Sequence, residues 1–143
     1  MIKIQNKKAY YDYFIQDKLE VGIELIGCEV KSIRQGKMNL KDSYVSIDNN
    51  ELFLKQAHIS PYENKDSFSD VDAYRKRKLL AHKNEIAKLK KSMEQKGFSI
   101  VPLKAYFKQG KVKLEIALAT GKKNYDKRQS IKENEAKRKM GEV

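Results

Sequence analysis

The sequence predicts a mainly β fold: a small closed antiparallel barrel with two or three flanking helices, followed by a charged C-terminal tail. Three observations carry this reading. Apolar and polar residues alternate in about six short runs, the period of a half-buried strand. Two joints between runs, Asn49-Asn50 and Gln109-Gly110, read as tight hairpin turns, the asparagines supplying positive φ. Gly22 and Gly27 interrupt the first run, as a bulge, a sharp bend or a close backbone approach in a small barrel requires.

In chain order, DYFIQDKLEVGIELIG reads as strand. CEVKSIRQG places Val30, Ile33 and Arg34 at helical spacing and stops at Gly36, giving one short helix. SYVSID alternates Tyr44, Ser46 and Asp48 with Val45 and Ile47, and after the asparagine turn a second strand runs from Leu52 to Ile59. PYENKDSFSDVDAY is a polar connection bounded by Pro61. RKRKLLAHKNEIAKLKKSMEQKG is the strongest helix, with Ile86, Leu89 and Met93 on one face and Gly97 as its stop. Its start has two solutions: near Arg75, or at His82 as N-cap with Glu85 in capping-box position, RKLLA then being a strand. FSIVPLKAYFKQGKVKLEIALA forms two strands, with Val112, Leu114 and Ile116 alternating with Lys113 and Glu115. Bent strands and short antiparallel connections match a closed barrel of the oligonucleotide-binding type, with strand order left open.

At 143 residues the chain has room for one core, so residues 1–120 are expected to form the barrel domain and 121–143 a basic tail. Lysine and arginine number 31 against 19 acids, a net charge of +12. Such an excess repels itself unless a polyanion binds, which points to nucleic-acid phosphate and to a monomer in its absence. Cys28 is the only cysteine, so no intrachain disulfide forms. The first twenty residues carry charges throughout and lack the apolar segment of a secretory signal, and no apolar run reaches membrane-spanning length. The expected location is the cytoplasm, away from membranes.

The tail has a signature of its own. Ser130 and Glu133 form a capping box, and IKENEAKRK has high helix propensity with acids early and bases late. Its apolar residues are nearly confined to Ile131, Ala136 and Met140. A helix of about ten residues without a packed face is marginal in water, so this segment is expected to order on a partner.

Catalysis finds little support. The candidates are His58, His82, Cys28 and the acids Glu20, Glu24, Glu29, Asp42 and Asp126. None of these stands at metal-ligand spacing, and no phosphate-cradling glycine loop is present. Asp126 in YDKR resembles a nuclease fragment, but metal-dependent cleavage needs further converging acids. The expectation is a protein without enzymatic activity, metal or cofactor. Binding is better supported: NKK, RKRK, KLKK and GKKNYDKR are four basic runs on one small chain. Tyr10, Tyr11, Tyr13 and Phe14 are stacking candidates, about half of them expected in the core because strand neighbours face opposite ways. Tyr125 lies among cations, where an exposed ring stacks on a base.

The segments NKKAYYDYFI, EVGIEL with EVKSIRQGK and NLKDSYV, HISPYE, RKRKLL, VPLKAYFK, GKVKLEIALA, GKK with YDKR, and IKE are co-linear from about Asn6 to about Lys132. Together they resemble the small protein B family of bacterial tmRNA-binding proteins. The resemblance implies an oligonucleotide-binding-like barrel and a tail that is disordered when free. It implies an adaptor that binds the tRNA-like domain of tmRNA and delivers it to stalled ribosomes for trans-translation. Alanyl-tRNA synthetase and elongation factor Tu would be engaged indirectly, through tmRNA. Positions matching the family's tmRNA contacts are Glu20, Arg34, Leu80, His82 and Lys113. Several relatives carry asparagine at His82, and either residue donates to RNA or caps a helix. The tail residues implied to enter the small-subunit decoding centre and empty mRNA channel are Lys122, Lys123, Tyr125, Asp126, Lys127, Arg128, Ile131 and Lys132. Many relatives have histidine at Tyr125; tyrosine keeps the flat ring and drops the imidazolium, so stacking without pH sensitivity is expected.

Overall fold

The computed structural model describes residues 3–60, 72–94 and 98–122. Most of the polar connection after Ser60, the Gly97 stop, and the tail from residue 123 onward, with its capping box and Tyr125, lie outside the described residues. The strands are β1 (Lys3–Gln5), β2 (Tyr13–Ile23), β3 (Met38–Asn39), β4 (Tyr44–Asp48), β5 (Glu51–Lys55), β6 (His58–Ile59), β7 (Arg77–Leu80), β8 (Phe98–Lys108) and β9 (Lys111–Gly121). The helices are α1 (Lys7–Asp12), α2 (Gly27–Arg34) and α3 (Lys83–Met93).

Six strands close into a ring in the order β8-β4-β5-β7-β2-β9, sealed by the β8–β9 pairing, and β1 adds to β8 from outside. All pairings are antiparallel. The expected barrel is therefore present, and the structure supplies its strand order. Period-two alternation fills its interior: Val112, Leu114, Ile116 and Leu118 of β9 point inward and join Val21, Leu52, Leu54, Leu79 and Ile100. α3 lays Leu89 on this core, with Ile86 and Met93 beside it, the face read from sequence.

The hairpin joints follow from local chemistry. Asn49 and Asn50 take φ of 50° and 62°, and Gln109 and Gly110 take 54° and 75°. Both pairs match the positive φ of two-residue turns whose twist suits the flanking strands. The second run stops earlier than expected. Gln56 adopts φ of 64°, β5 ends at Lys55, and His58–Ile59 turns away to pair with Met38–Asn39 in a separate small sheet.

The two glycines of the first run play different parts. Gly27 does not interrupt a strand; it is the first residue of α2. Gly22 makes a close approach: a Cβ there would lie 3.3 Å from Cβ of Leu80 on β7. The bend in β2 comes instead from a bulge between Ile15 and Lys18, where three steps on β2 span two on β9. A second irregularity falls between Pro102 and Lys104, next to the residue that has no N–H to offer the ladder.

Sequence periodicity missed α1, whose six residues are too few to show a repeat. It is held by Asn6. The Asn6 side chain accepts from the Ala9 amide at 3.2 Å and donates to the carbonyls of Pro102 at 2.9 Å and Leu40 at 3.2 Å. Ala9 thereby covers the outward residues Val101, Leu103, Ala117 and Ala119 of β8 and β9, forming a second small core with Tyr13 and Ile15. For α3, β7 is a strand in its own right and His82 is the N-cap, its amide donating to Glu85 at 2.9 Å.

Candidate nucleic-acid interface

Four strands in the order β8-β9-β2-β7 carry the outward side chains of the candidate site. On β9, Lys113 stands opposite Tyr106 of β8 on one side and Gly22 of β2 on the other. Glu115, two residues on, stands between Lys104 and Glu20. Gly22 is in turn paired with Leu80 of β7. Because Gly22 has no side chain, Leu80 and Lys113 border one groove of about 320 Å³, whose floor includes Ile23, Val30 and Val112. Leu80 is 49% exposed there, an apolar surface beside an ammonium.

The predicted residues divide by location. Glu20, Leu80 and Lys113 share this outer face. Arg34 leaves the last turn of α2, one turn beyond Val30, and its guanidinium lies 5.6 Å from the centre of the Phe107 ring. Phe107 pairs with Val112, so Arg34 caps the same end of the barrel. His82 is exposed at the start of α3, two residues past Leu80.

The electrostatics of this face are sharply defined. The Tyr106 hydroxyl donates a hydrogen bond to Oε2 of Glu20, and Lys108 Nζ lies 3.3 Å from Oε1. The Tyr106 bond, joined by Lys108 and the nearby Lys113, holds the Glu20 carboxyl below its ordinary range against a desolvation effect of opposite sign. Burial, reinforced by the Glu20 carboxylate, pushes the Tyr106 phenol well above its usual value. Glu20 is thus an ionised acceptor and Tyr106 a protonated donor.

A second cation-and-aromatic cluster lies where β9 ends. Of the aromatic run only Tyr13 packs on the second core, while Tyr10 and Phe14 are exposed; the expected half-and-half division fails because Tyr10 and Tyr11 lie on α1, where strand alternation does not apply. Lys122 belongs to this cluster. Its amide donates to the Asp12 carbonyl at 2.8 Å, its ammonium donates to the Tyr10 carbonyl at 3.2 Å, and Nζ lies 5.0 Å from the Phe14 ring centre. Ordered contacts therefore continue two residues past Thr120. The tail residues Lys123, Tyr125, Asp126, Lys127, Arg128, Ile131 and Lys132 lie outside the described residues.

Glu29 and Asp42, like Glu20, have structural partners, whereas Asp126 lies outside the described residues. Glu29 is buried between two guanidiniums, with Arg75 at 2.5 Å and Arg77 at 2.6 Å. Asp42 pairs with Lys8 at 2.5 Å. His58 packs edge-on against Tyr74 at 5.0 Å. Among the described residues no three His, Cys, Asp or Glu side chains group to hold a metal ion, and no helix is long and apolar enough to cross a membrane. Sequence reasoning missed Tyr106 and the buried Arg77. Tyr106 had a visible signal: it alternates with Lys104 and Lys108 on the outward side of its strand.

A closed antiparallel barrel with lysines and exposed apolar and aromatic side chains on its outer face has the architecture of the oligonucleotide-binding type. The family model described as SmpB protein matches residues 3–143. The chain belongs to that family. It is 53% identical over 135 residues to the SsrA-binding protein of Desulfitobacterium hafniense, covering 94% of this chain and 86% of that one. It is 54% identical to the SsrA-binding protein of Caldicellulosiruptor bescii, over 92% of this chain and 82% of the other. The SsrA-binding protein of Clostridium botulinum is also 54% identical, with 95% and 86% covered. Among solved structures, a chain from "tmRNA-SmpB: a journey to the center of the bacterial ribosome" superposes with a TM-score of 0.72 at 44% identity, 87% of each chain being covered.

Proposed function

We propose that this chain is an RNA-binding adaptor that holds the tRNA-like domain of tmRNA and brings it to stalled ribosomes for trans-translation. It works by binding and carries out no reaction of its own. The observation that supports this most directly is the placement of Glu20, Leu80 and Lys113 on neighbouring strands of one outer face, with Arg34 at its end, in a chain with SsrA-binding relatives.

The division of labour follows from the physics of each part. The barrel grips a folded RNA by shape and phosphate contact, since the deep major groove of A-form RNA admits few side chains. Lys113 and Arg34 supply the cations, Leu80 the apolar contact, and His82 a donor at the rim. The tail then enters the decoding centre and the vacant mRNA channel of the small subunit. There Lys122, Lys123, Lys127 and Arg128 meet ribosomal phosphate, Tyr125 stacks on a base, and Ile131 faces the surface that orders the helix; Asp126 and Lys132 belong to the same segment. Lys122 joins the two parts and is anchored on the barrel by Asp12 and Tyr10. The chain acts as a cytoplasmic monomer and meets alanyl-tRNA synthetase and elongation factor Tu only through tmRNA.

A competition experiment tests the reading. Labelled tmRNA bound to the chain is challenged with unlabelled tmRNA or bulk tRNA. Strong preference for tmRNA is the expected result, and equal displacement by both would reduce the protein to a general RNA binder.

A further inference from the structure

A carboxylate is an unexpected group on a surface that attracts phosphate. Glu20 nevertheless sits on the outer face of β2, beside Lys108 and close to Lys113. Its pairing partner across the ladder on β9 is another acid, Glu115, an arrangement that costs stability unless cations offset it.

The geometry around Glu20 is built from a distance. Tyr106 is on β8 and Glu20 on β2, with β9 lying between them. Adjacent strands are about 4.8 Å apart, so the Tyr106 side chain spans a full strand to reach the carboxylate. It crosses β9 between Lys113, its own pairing partner, and Glu115. The Lys104 ammonium lies 6.0 Å from the Tyr106 ring centre and 3.7 Å from Glu115, bracketing the ring from its other side. Lys108 holds the second carboxylate oxygen at 3.3 Å. Each oxygen of Glu20 is thus directed by one donor, and side-chain exposure of 36% leaves further lone pairs facing solvent.

An ionised carboxylate only accepts hydrogen bonds. It repels phosphate and pairs with an amino or imino N–H of a base, or with a 2′-hydroxyl. We propose that Tyr106 is a positioning residue that fixes Glu20 as an acceptor for one N–H or 2′-hydroxyl donor of the bound RNA, beside the phosphate held by Lys113. Glu20 then supplies selectivity and Lys113 supplies attraction. Tyr106 acts through Glu20 and touches no phosphate. This inference rests on the RNA-binding reading above.

The test uses the full chain and the transcribed tRNA-like domain of tmRNA, with binding measured at several salt concentrations. Tyr106→Phe removes only the hydroxyl and should weaken binding about tenfold, the scale of a charge-assisted hydrogen bond, with an unchanged salt slope. In a Glu20→Gln background the same change should cost nothing further, because the interaction it serves is already gone. RNAs with single 2′-deoxy or inosine-for-guanosine substitutions identify the donor: one substitution should lose its penalty in Glu20→Gln. Wild-type binding by Tyr106→Phe, additive losses in the double variant, or the absence of any coupled RNA substitution overturns the inference. So does a lowered salt slope, which would make Tyr106 a phosphate contact. If Tyr106→Phe fails to fold, Glu20→Gln decides alone, and unaffected binding by that isosteric variant overturns the proposal. A wild-type chain that ignores this RNA overturns the proposed function as well.

Discussion

Glu29 on α2 and Arg77 on β7 form a closed ion pair inside the protein: Nε donates to Oε2 at 2.8 Å, and both side chains are at most 3% exposed. Nη1 and Nη2 of Arg77 donate to the carbonyls of Ala57 at 2.7 Å and Ala73 at 3.0 Å. Glu29 also accepts from Arg75 and from the amide of Ile26, at 3.1 Å. One carboxylate thus caps the start of α2 and ties it to the barrel, orienting the helix that presents Arg34.

Breaking that pair should destabilise the fold. Glu29→Gln leaves Arg77 buried without its counter-charge, a loss of about 3 kcal/mol, and the melting temperature should fall by roughly 10 °C. Burial works to raise the Glu29 carboxyl, but Arg75, the Ile26 amide and Arg77 outweigh it and hold it below the ordinary value of 4.5. The folded state therefore gains stability from Glu29 above that value and loses it as pH falls through the depressed one. Acid titration of thermal stability should show this loss in the wild type and a flatter profile in Glu29→Gln.

Gly22→Ala probes the groove. A Cβ 3.3 Å from Leu80 Cβ forces a shift of a few tenths of an ångström between two paired strands. The crowding opposes the gain from a less flexible unfolded chain, so the melting temperature should move by no more than about 4 °C. RNA affinity should fall roughly threefold as Leu80 leaves its position, a loss read by equilibrium binding.

Lys113→Ala and Arg34→Ala should each weaken RNA binding and lower the salt slope by about one unit, because each removes a phosphate contact. Equilibrium binding between 50 and 200 mM salt, roughly the range where such effects are large, checks this. An unchanged slope assigns either residue to packing.

A chain ending after Lys122 keeps the whole of β9 and the Lys122 contacts to Asp12 and Tyr10. It should bind tmRNA within about twofold of the full chain, since the barrel face is intact, yet fail to support tagging on stalled ribosomes. Binding and tagging assays on the same preparation separate the two parts.

How much of this was legible in the residues depended on range. The barrel strands announced themselves by alternation, the Asn49-Asn50 and Gln109-Gly110 turns by their backbone preferences, and α3 by the spacing of Ile86, Leu89 and Met93. Each of those signals acts between near neighbours. Short elements such as α1 and the β3–β6 pair have no period to detect, and the end of β5 at Lys55 hangs on one residue, Gln56, at positive φ.

By itself the sequence determined an antiparallel barrel, a strong positive charge and a family resemblance that named the candidate RNA contacts. Only the tertiary structure decided which residues share a face. It placed Glu20 beneath the hydroxyl of a tyrosine 86 positions away, Leu80 beside Lys113 across a glycine, and Glu29 against an arginine 48 positions away. The reason is physical. Alternation records only whether a side chain points inward or outward, whereas contact across strands depends on sheet order and register, set by ring closure and by the two bulges.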